Sequence, residues 1–119
     1  GDYLGAITLN DGEFLSTSGD YEKYFIEDGK RYHHILDPKT GYPVWNGLDS
    51  VTVICDRGLL ADGLSTACFV LGREDALKLL EKYNAEAAFV DEDKNVYLTD
   101  GLKDRFELMK NTYTVKELQ

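Results

Sequence analysis

Both prolines of the chain fall inside one stretch, Tyr32-His33-His34-Ile35-Leu36-Asp37-Pro38-Lys39-Thr40-Gly41-Tyr42-Pro43. Pro38 fixes its own φ and pushes Asp37 towards an extended backbone, and Pro43 does the same to Tyr42. Gly41, between them, can take a positive φ that its neighbours resist. A loop constrained in this way loses less conformational entropy on folding, so it can hold a side chain in one place. Immediately before it stand His33 and His34, the only 2 histidines of the chain, whose unperturbed pKa lies near neutrality. Two readings are open: a proline-defined surface turn with incidental imidazoles, or a rigid loop that presents a base.

At 119 residues with 43% hydrophobic and 12% aromatic content, residues 1–119 read as a single globular domain with a core of its own. Against 22 acidic residues stand 13 basic ones, a net charge of −9. With no basic stripe to displace counterions, nucleic acid is disfavoured as a partner. No apolar run reaches the length of a bilayer span, and no signal peptide is visible. The opening on Gly1-Asp2-Tyr3 reads as an excised piece with any targeting segment upstream. Cys55 and Cys68 lie in apolar sequence and read as small core hydrophobes. A disulfide between them is the alternative; the spacing is not that of a zinc site.

In chain order, Leu4–Leu9 reads as a strand, Asn10-Asp11-Gly12 as a turn, and Glu13–Ser16 as a second strand, a hairpin signal. Ser16-Thr17-Ser18-Gly19-Asp20 is small and rich in hydroxyls, suited to a solvated loop, a cap or an anion nest. Tyr21–Ile26 predicts a strand with a turn at Glu27–Lys30. Ser50–Cys55 is the clearest strand, with alternating β-branched residues. Asp56 follows at an expected helix N-cap, and Gly72 closes a helix from about Leu59 to Leu71.

That helix is apolar nearly all round and is expected to be mostly buried. Asp62 and Thr66 nevertheless stack one turn apart on one face. The macrodipole could stabilise Asp62, and Thr66 could bond back to the carbonyl of residue 62. The sharper alternative is that a hard metal ion shares both oxygens, because a buried carboxylate needs compensation.

Arg73–Tyr83 predicts an amphipathic second helix with Ala76, Leu79, Leu80 and Tyr83 on its apolar stripe. Glu86–Val90 and Val96–Thr99 predict a hairpin across an acidic turn. That turn fails as a calcium loop: Val96 stands where glycine is needed and Leu102 where a bidentate glutamate is needed. A short strand is expected near Phe106–Met109, with fraying beyond. The expected class is α+β, an antiparallel sheet with a buried helix and an amphipathic covering helix.

Three stretches, Thr17-Ser18-Gly19-Asp20-Tyr21, His33 through Pro43, and Ala61-Asp62-Gly63-Leu64-Ser65-Thr66-Ala67, occur in this order. Together they resemble the ApbE family of FAD:protein FMN transferases, formerly called thiamine-biosynthesis lipoproteins. The resemblance covers about residues 4 to 100 and only the carboxy-terminal portion of the family's length, so it implies a fragment of an ApbE-like fold. It implies that Asp62 and Thr66 hold Mg2+ at the FAD pyrophosphate. By the same resemblance His34 takes the proton from the acceptor hydroxyl, and Ile35 with its neighbours, His34 included, packs close to the flavin nucleotide. Thr17–Tyr21 would form a structural, ligand-adjacent turn, and no role attaches to His33.

The implied reaction moves FMN from FAD onto a Thr or Ser hydroxyl of a target flavoprotein and releases AMP. The resemblance also implies a protein acting outside the cytoplasmic membrane as an anchored lipoprotein, the anchor lying outside this chain. Further FAD contacts and a backbone metal ligand belong to the family's amino-terminal part, so this piece alone is expected to be weakly active or inactive. Two alternatives stay open: an FAD pyrophosphatase giving FMN and AMP, and a noncatalytic flavin-binding or scaffold fragment. The latter could pair with its missing half, or form a homo-oligomer, through exposed strand edges.

Overall fold

The computed structural model describes residues 3–19, 22–27, 30–36 and 48–118, the strands between 22 and 36 by their backbone course alone. The proline-bounded loop and the Trp45–Gly47 segment lie outside the described residues. The elements are β1 (Tyr3–Thr8), β2 (Phe14–Gly19), β3 (Glu22–Glu27), β4 (Lys30–Leu36), β5 (Leu48–Cys55), α1 (Gly58–Leu71), α2 (Arg73–Tyr83), β6 (Glu86–Asp91), β7 (Asn95–Leu98), β8 (Phe106–Leu108) and β9 (Thr114–Glu117). They build two sheets, one of four strands in the order β3-β4-β1-β8 and one of five in the order β2-β5-β6-β7-β9. The fold is α+β, as expected.

Alternation along β5, β6 and β7 sets the layers. Val51, Val53, Cys55, Ala87, Phe89 and Tyr97 face the helices and pack with Leu64, Cys68, Ala76 and Leu80. Their neighbours Ile54, Ala88, Val90, Val96 and Leu98 face the other way, onto Leu4 and Ile7 of β1. Successive strand residues point to opposite faces, so a sheet covered on both sides needs near-continuous apolar strands. This is why β5 reads Val-Thr-Val-Ile-Cys. Cys55 and Cys68 are buried and unbridged, in accord with the core reading.

The Asn10-Asp11-Gly12 turn forms, with Gly12 at φ 82° and Glu13 N donating to Asn10 O at 3.2 Å. The strands it joins do not pair with each other, so the expected hairpin is corrected. Both sides of β1 are taken, by β4 and β8, and β2 pairs with β5 from Phe14↔Cys55 to Gly19↔Ser50. The turn instead carries the chain from one sheet to the other. The second expected hairpin does form, with Val90 opposite Val96. In its turn Asp91 Oδ1 accepts from the backbone N–H groups of Asp93 and Asn95, each at 2.9 Å. That carboxylate closes its own turn.

The tail does not fray as expected. β9 adds to β7 in parallel, Val96 opposite Val115. The first helix also departs from expectation. It buries Ala61, Leu64, Ser65 and Cys68, whereas Leu59 is 90% and Val70 73% exposed. A helix lying on one sheet has one covered side, and among the described residues nothing covers the other.

Candidate functional site

The chain enters α1 through Arg57, extended at φ −136° and ψ 127°, with no side-chain cap. Ala61 N donates to Arg57 O at 2.9 Å and closes the first turn. Asp56, the expected N-cap, lies one residue too early. It is exposed and sits 3.9 Å from Arg57 Nε, a surface pair of little energetic consequence.

Asp62 and Thr66 share one side of α1, as the four-residue spacing requires, and both are exposed. The burial cost that argued for a cation beside Asp62 is therefore absent, and Asp62 also lies beyond the helix's first turn. What remains is the donor set. A carboxylate and a hydroxyl, one turn apart and open to solvent, offer two hard oxygens with room for more, which fits Mg2+ as two protein ligands of an octahedral shell. Among the described residues, no three His, Cys, Asp or Glu side chains gather as a metal site.

Thr66 is held from two directions. Its one proton has two acceptors in reach, Asp62 O at 3.3 Å, the bond that helical spacing suggests, and Ser18 Oγ on β2 at 3.1 Å. Ser18 Oγ is also 2.9 Å from Ser65 Oγ. Ser65 Oγ in turn reaches Asp62 O at 3.0 Å and Ser16 Oγ at 3.3 Å. Ser16 and Ser18 face the helix because they alternate with Thr17, whose hydroxyl meets Thr52 at 2.8 Å on the opposite face. The sequence predicts a strand that ends at Ser16 and, from there to Asp20, a solvated loop, a cap or an anion nest; β2 instead runs through Gly19 and makes the hydroxyls a lattice between strand and helix. Their period-2 spacing was the available signal.

His34 lies within β4, opposite Ala6 of β1 and Lys23 of β3, and Ile35 is opposite Glu22. Their side chains lie outside the described residues, as do Asp20 and Tyr21. Connectivity nevertheless limits their distance from the hydroxyl lattice. Glu22 follows Ser18 by four residues and is paired with Ile35, and four residues span at most about 14 Å. The Ile35 backbone is therefore within about 20 Å of Ser18.

The ApbE family model matches residues 2–90. The chain belongs to the ApbE family. It is 42% identical over 113 residues to the FAD:protein FMN transferase of Klebsiella pneumoniae (strain 342), covering 94% of this chain and 35% of that protein. It is 43% identical over 101 residues to the FAD:protein FMN transferase of Treponema pallidum (strain Nichols), covering 84% of this chain and 28% of the relative. The apo crystal structure of the Pseudomonas stutzeri flavinyl transferase ApbE shares 42% identity over 89% of this chain and 30% of that one, with a TM-score of 0.47. This ApbE chain thus spans about a third of the length of the curated relatives it matches.

Proposed function

We propose that the protein to which this ApbE chain belongs transfers FMN from FAD to a Thr or Ser hydroxyl of a target flavoprotein and releases AMP. The observation that carries the reading is the pairing of Asp62 and Thr66 on the open side of α1, with Thr66 Oγ1 fixed 3.1 Å from Ser18 Oγ. Membership in a family whose relatives are FAD:protein FMN transferases supports the flavin substrate.

Asp62 and Thr66 would hold Mg2+ through their side-chain oxygens. When bound there, the ion would neutralise charge on the FAD phosphates and orient them for displacement. His34 would accept the proton of the attacking hydroxyl, a contribution typically worth about 10²–10⁴-fold. The acceptor oxygen forms a bond to the phosphorus of the FMN portion. The bond from that phosphorus to the bridging oxygen breaks, and AMP leaves with its electron pair. Ile35 and its neighbours would pack along the flavin nucleotide. The connectivity that keeps the Ile35 backbone within about 20 Å of Ser18 is compatible with one dinucleotide touching both regions. Action outside the cytoplasmic membrane, as an anchored lipoprotein, is part of the same proposal and rests on the resemblance alone.

The deciding experiment supplies the full-length protein with FAD, Mg2+ and an acceptor domain bearing a Thr. A flavin-sized mass gain on the acceptor is expected. Release of FMN and AMP with no covalent flavin would instead make the protein a pyrophosphatase.

A further inference from the structure

We infer that Ser18 is a positioning residue for Thr66, turning its hydroxyl so that the oxygen lone pairs face the cation-binding side of α1. The inference rests on the Mg2+ reading above and concerns how this chain prepares one of its two ligands.

Proton counting gives the direction. A hydroxyl has one proton and two lone pairs. The three shortest contacts of the lattice are Ser18 Oγ to Ser65 Oγ at 2.9 Å, Ser65 Oγ to Asp62 O at 3.0 Å and Ser18 Oγ to Thr66 Oγ1 at 3.1 Å. A carbonyl can only accept, so Ser65 donates to Asp62 O. With that proton committed, Ser18 must donate to Ser65. With its own proton committed, Ser18 must accept from Thr66. These three contacts are satisfied together in one direction only, Thr66 to Ser18 to Ser65 to the carbonyl of Asp62. It is favoured over the two longer alternatives for the same protons, Ser65 Oγ to Ser16 Oγ and Thr66 Oγ1 to Asp62 O, each at 3.3 Å.

In this arrangement Thr66 turns its proton inward and keeps both lone pairs for the exposed side, where the Asp62 carboxylate also lies. Bonds chained head to tail polarise one another, which makes the terminal oxygen a better ligand. A helical threonine otherwise divides between two rotamers, because its hydroxyl can bond back along its own helix. Here the competing bond to Asp62 O is longer, at 3.3 Å. Ser18 belongs to a different element, 48 residues away in sequence, so it selects an orientation that the helix alone does not fix. The chain ends on the carbonyl of Asp62, the residue that supplies the other ligand, so one set of bonds ties both ligand-bearing residues to β2.

The experiment titrates Mn2+ into the full-length protein with FAD present and reads free Mn2+ by electron paramagnetic resonance. Ser18→Ala is expected to weaken Mn2+ binding about tenfold, as removal of a ligand's supporting hydrogen bond does elsewhere, and Ser18→Thr to recover it. Thr52→Val, which breaks a hydroxyl pair on the opposite face of β2, is expected to keep wild-type affinity. If Ser18→Ala binds Mn2+ as tightly as wild type while Asp62→Ala does not, the positioning role falls and the cation reading stands. A loss that Ser18→Thr fails to recover, or that Thr52→Val shares, overturns the positioning role as well, because general loosening then explains it. Wild-type affinity in Asp62→Ala overturns the cation reading and this inference with it.

Discussion

Arg105, just before β8, grips the carboxylate of Glu13, just before β2, through both terminal nitrogens of its guanidinium. Its Nε also donates to Thr8 O at 3.0 Å, and Glu13 Oε1 accepts from Asn10 N at 2.7 Å. One ion pair therefore ties the end of β1, the turn between the sheets and the approach to β8. The two side chains are only 19% and 22% exposed, so this is no ordinary surface pair. Glu13→Gln keeps the shape but leaves a half-buried guanidinium without its counter-charge, and should cost about 2 kcal/mol. Urea unfolding at low and high salt checks it. The loss should persist at high salt, because a partly buried pair is weakly screened.

Gly12 and Gly19 both have positive φ, 82° and 126°, but their surroundings differ. A Cβ at Gly12 meets nothing within 4 Å, whereas at Gly19 it would lie 2.4 Å from Asp49 O and 2.7 Å from Ser50 Cα. Those are backbone atoms of β5 and cannot swing aside. Gly12→Ala should cost about 1 kcal/mol from its backbone conformation alone. Gly19→Ala should cost several times as much by parting β2 from β5, and thermal unfolding of the two variants makes the comparison. Because Gly19 follows Ser18, its variant should also weaken the hydroxyl contacts to α1.

What could be read in the sequence was what depends on near neighbours. β5, α2 and the β6–β7 hairpin carry their period and turn residues within a dozen positions, and the structure has them where expected. The Asp62–Thr66 spacing was legible for the same reason. Partner choice was not: the Asn10–Gly12 turn looks the same whether its strands pair with each other or, as here, with β4 and β5. β9 was invisible because all four of its residues are exposed, leaving no buried alternation to detect. Ser18 was hidden as a partner of Thr66 because only the docking of α1 on β2 brings them together.

Cys68 is fully buried against β5 and β6, and burial pushes its thiol from 9.0 up to about 11. The unfolded chain gives up this proton first, so the folded state binds more protons between those values. Stability from this group is complete below pH 9.0, falls as the pH rises and is gone above about 11. The full loss is on the order of 2 kcal/mol. Urea titrations across the alkaline range should show a shallower decline for Cys68→Ala than for wild type, on top of its constant packing loss. In the native state at neutral pH, the thiol should resist disulfide reagents until the protein unfolds.

Asp62 and His34 should fail in different ways if the proposed transfer is right. Asp62 carries one of two side-chain oxygens offered to the cation, and Thr66 is a neutral ligand that cannot replace its charge. Asp62→Ala in the full-length protein should therefore abolish flavin transfer through loss of Mg2+, and raising the Mg2+ concentration should recover little. His34 has another task, to accept a proton as the acceptor hydroxyl attacks. His34→Ala should leave FAD binding largely intact and slow transfer by about 10²–10⁴-fold. Transfer should then depend more steeply on pH, because the hydroxyl must lose its proton to solvent. Stopped-flow flavin fluorescence for binding and the acceptor's mass gain for transfer separate the two effects. Wild-type transfer in Asp62→Ala would remove the metal from the mechanism, whereas equal losses of binding and transfer in His34→Ala would make that residue part of the nucleotide pocket rather than the base.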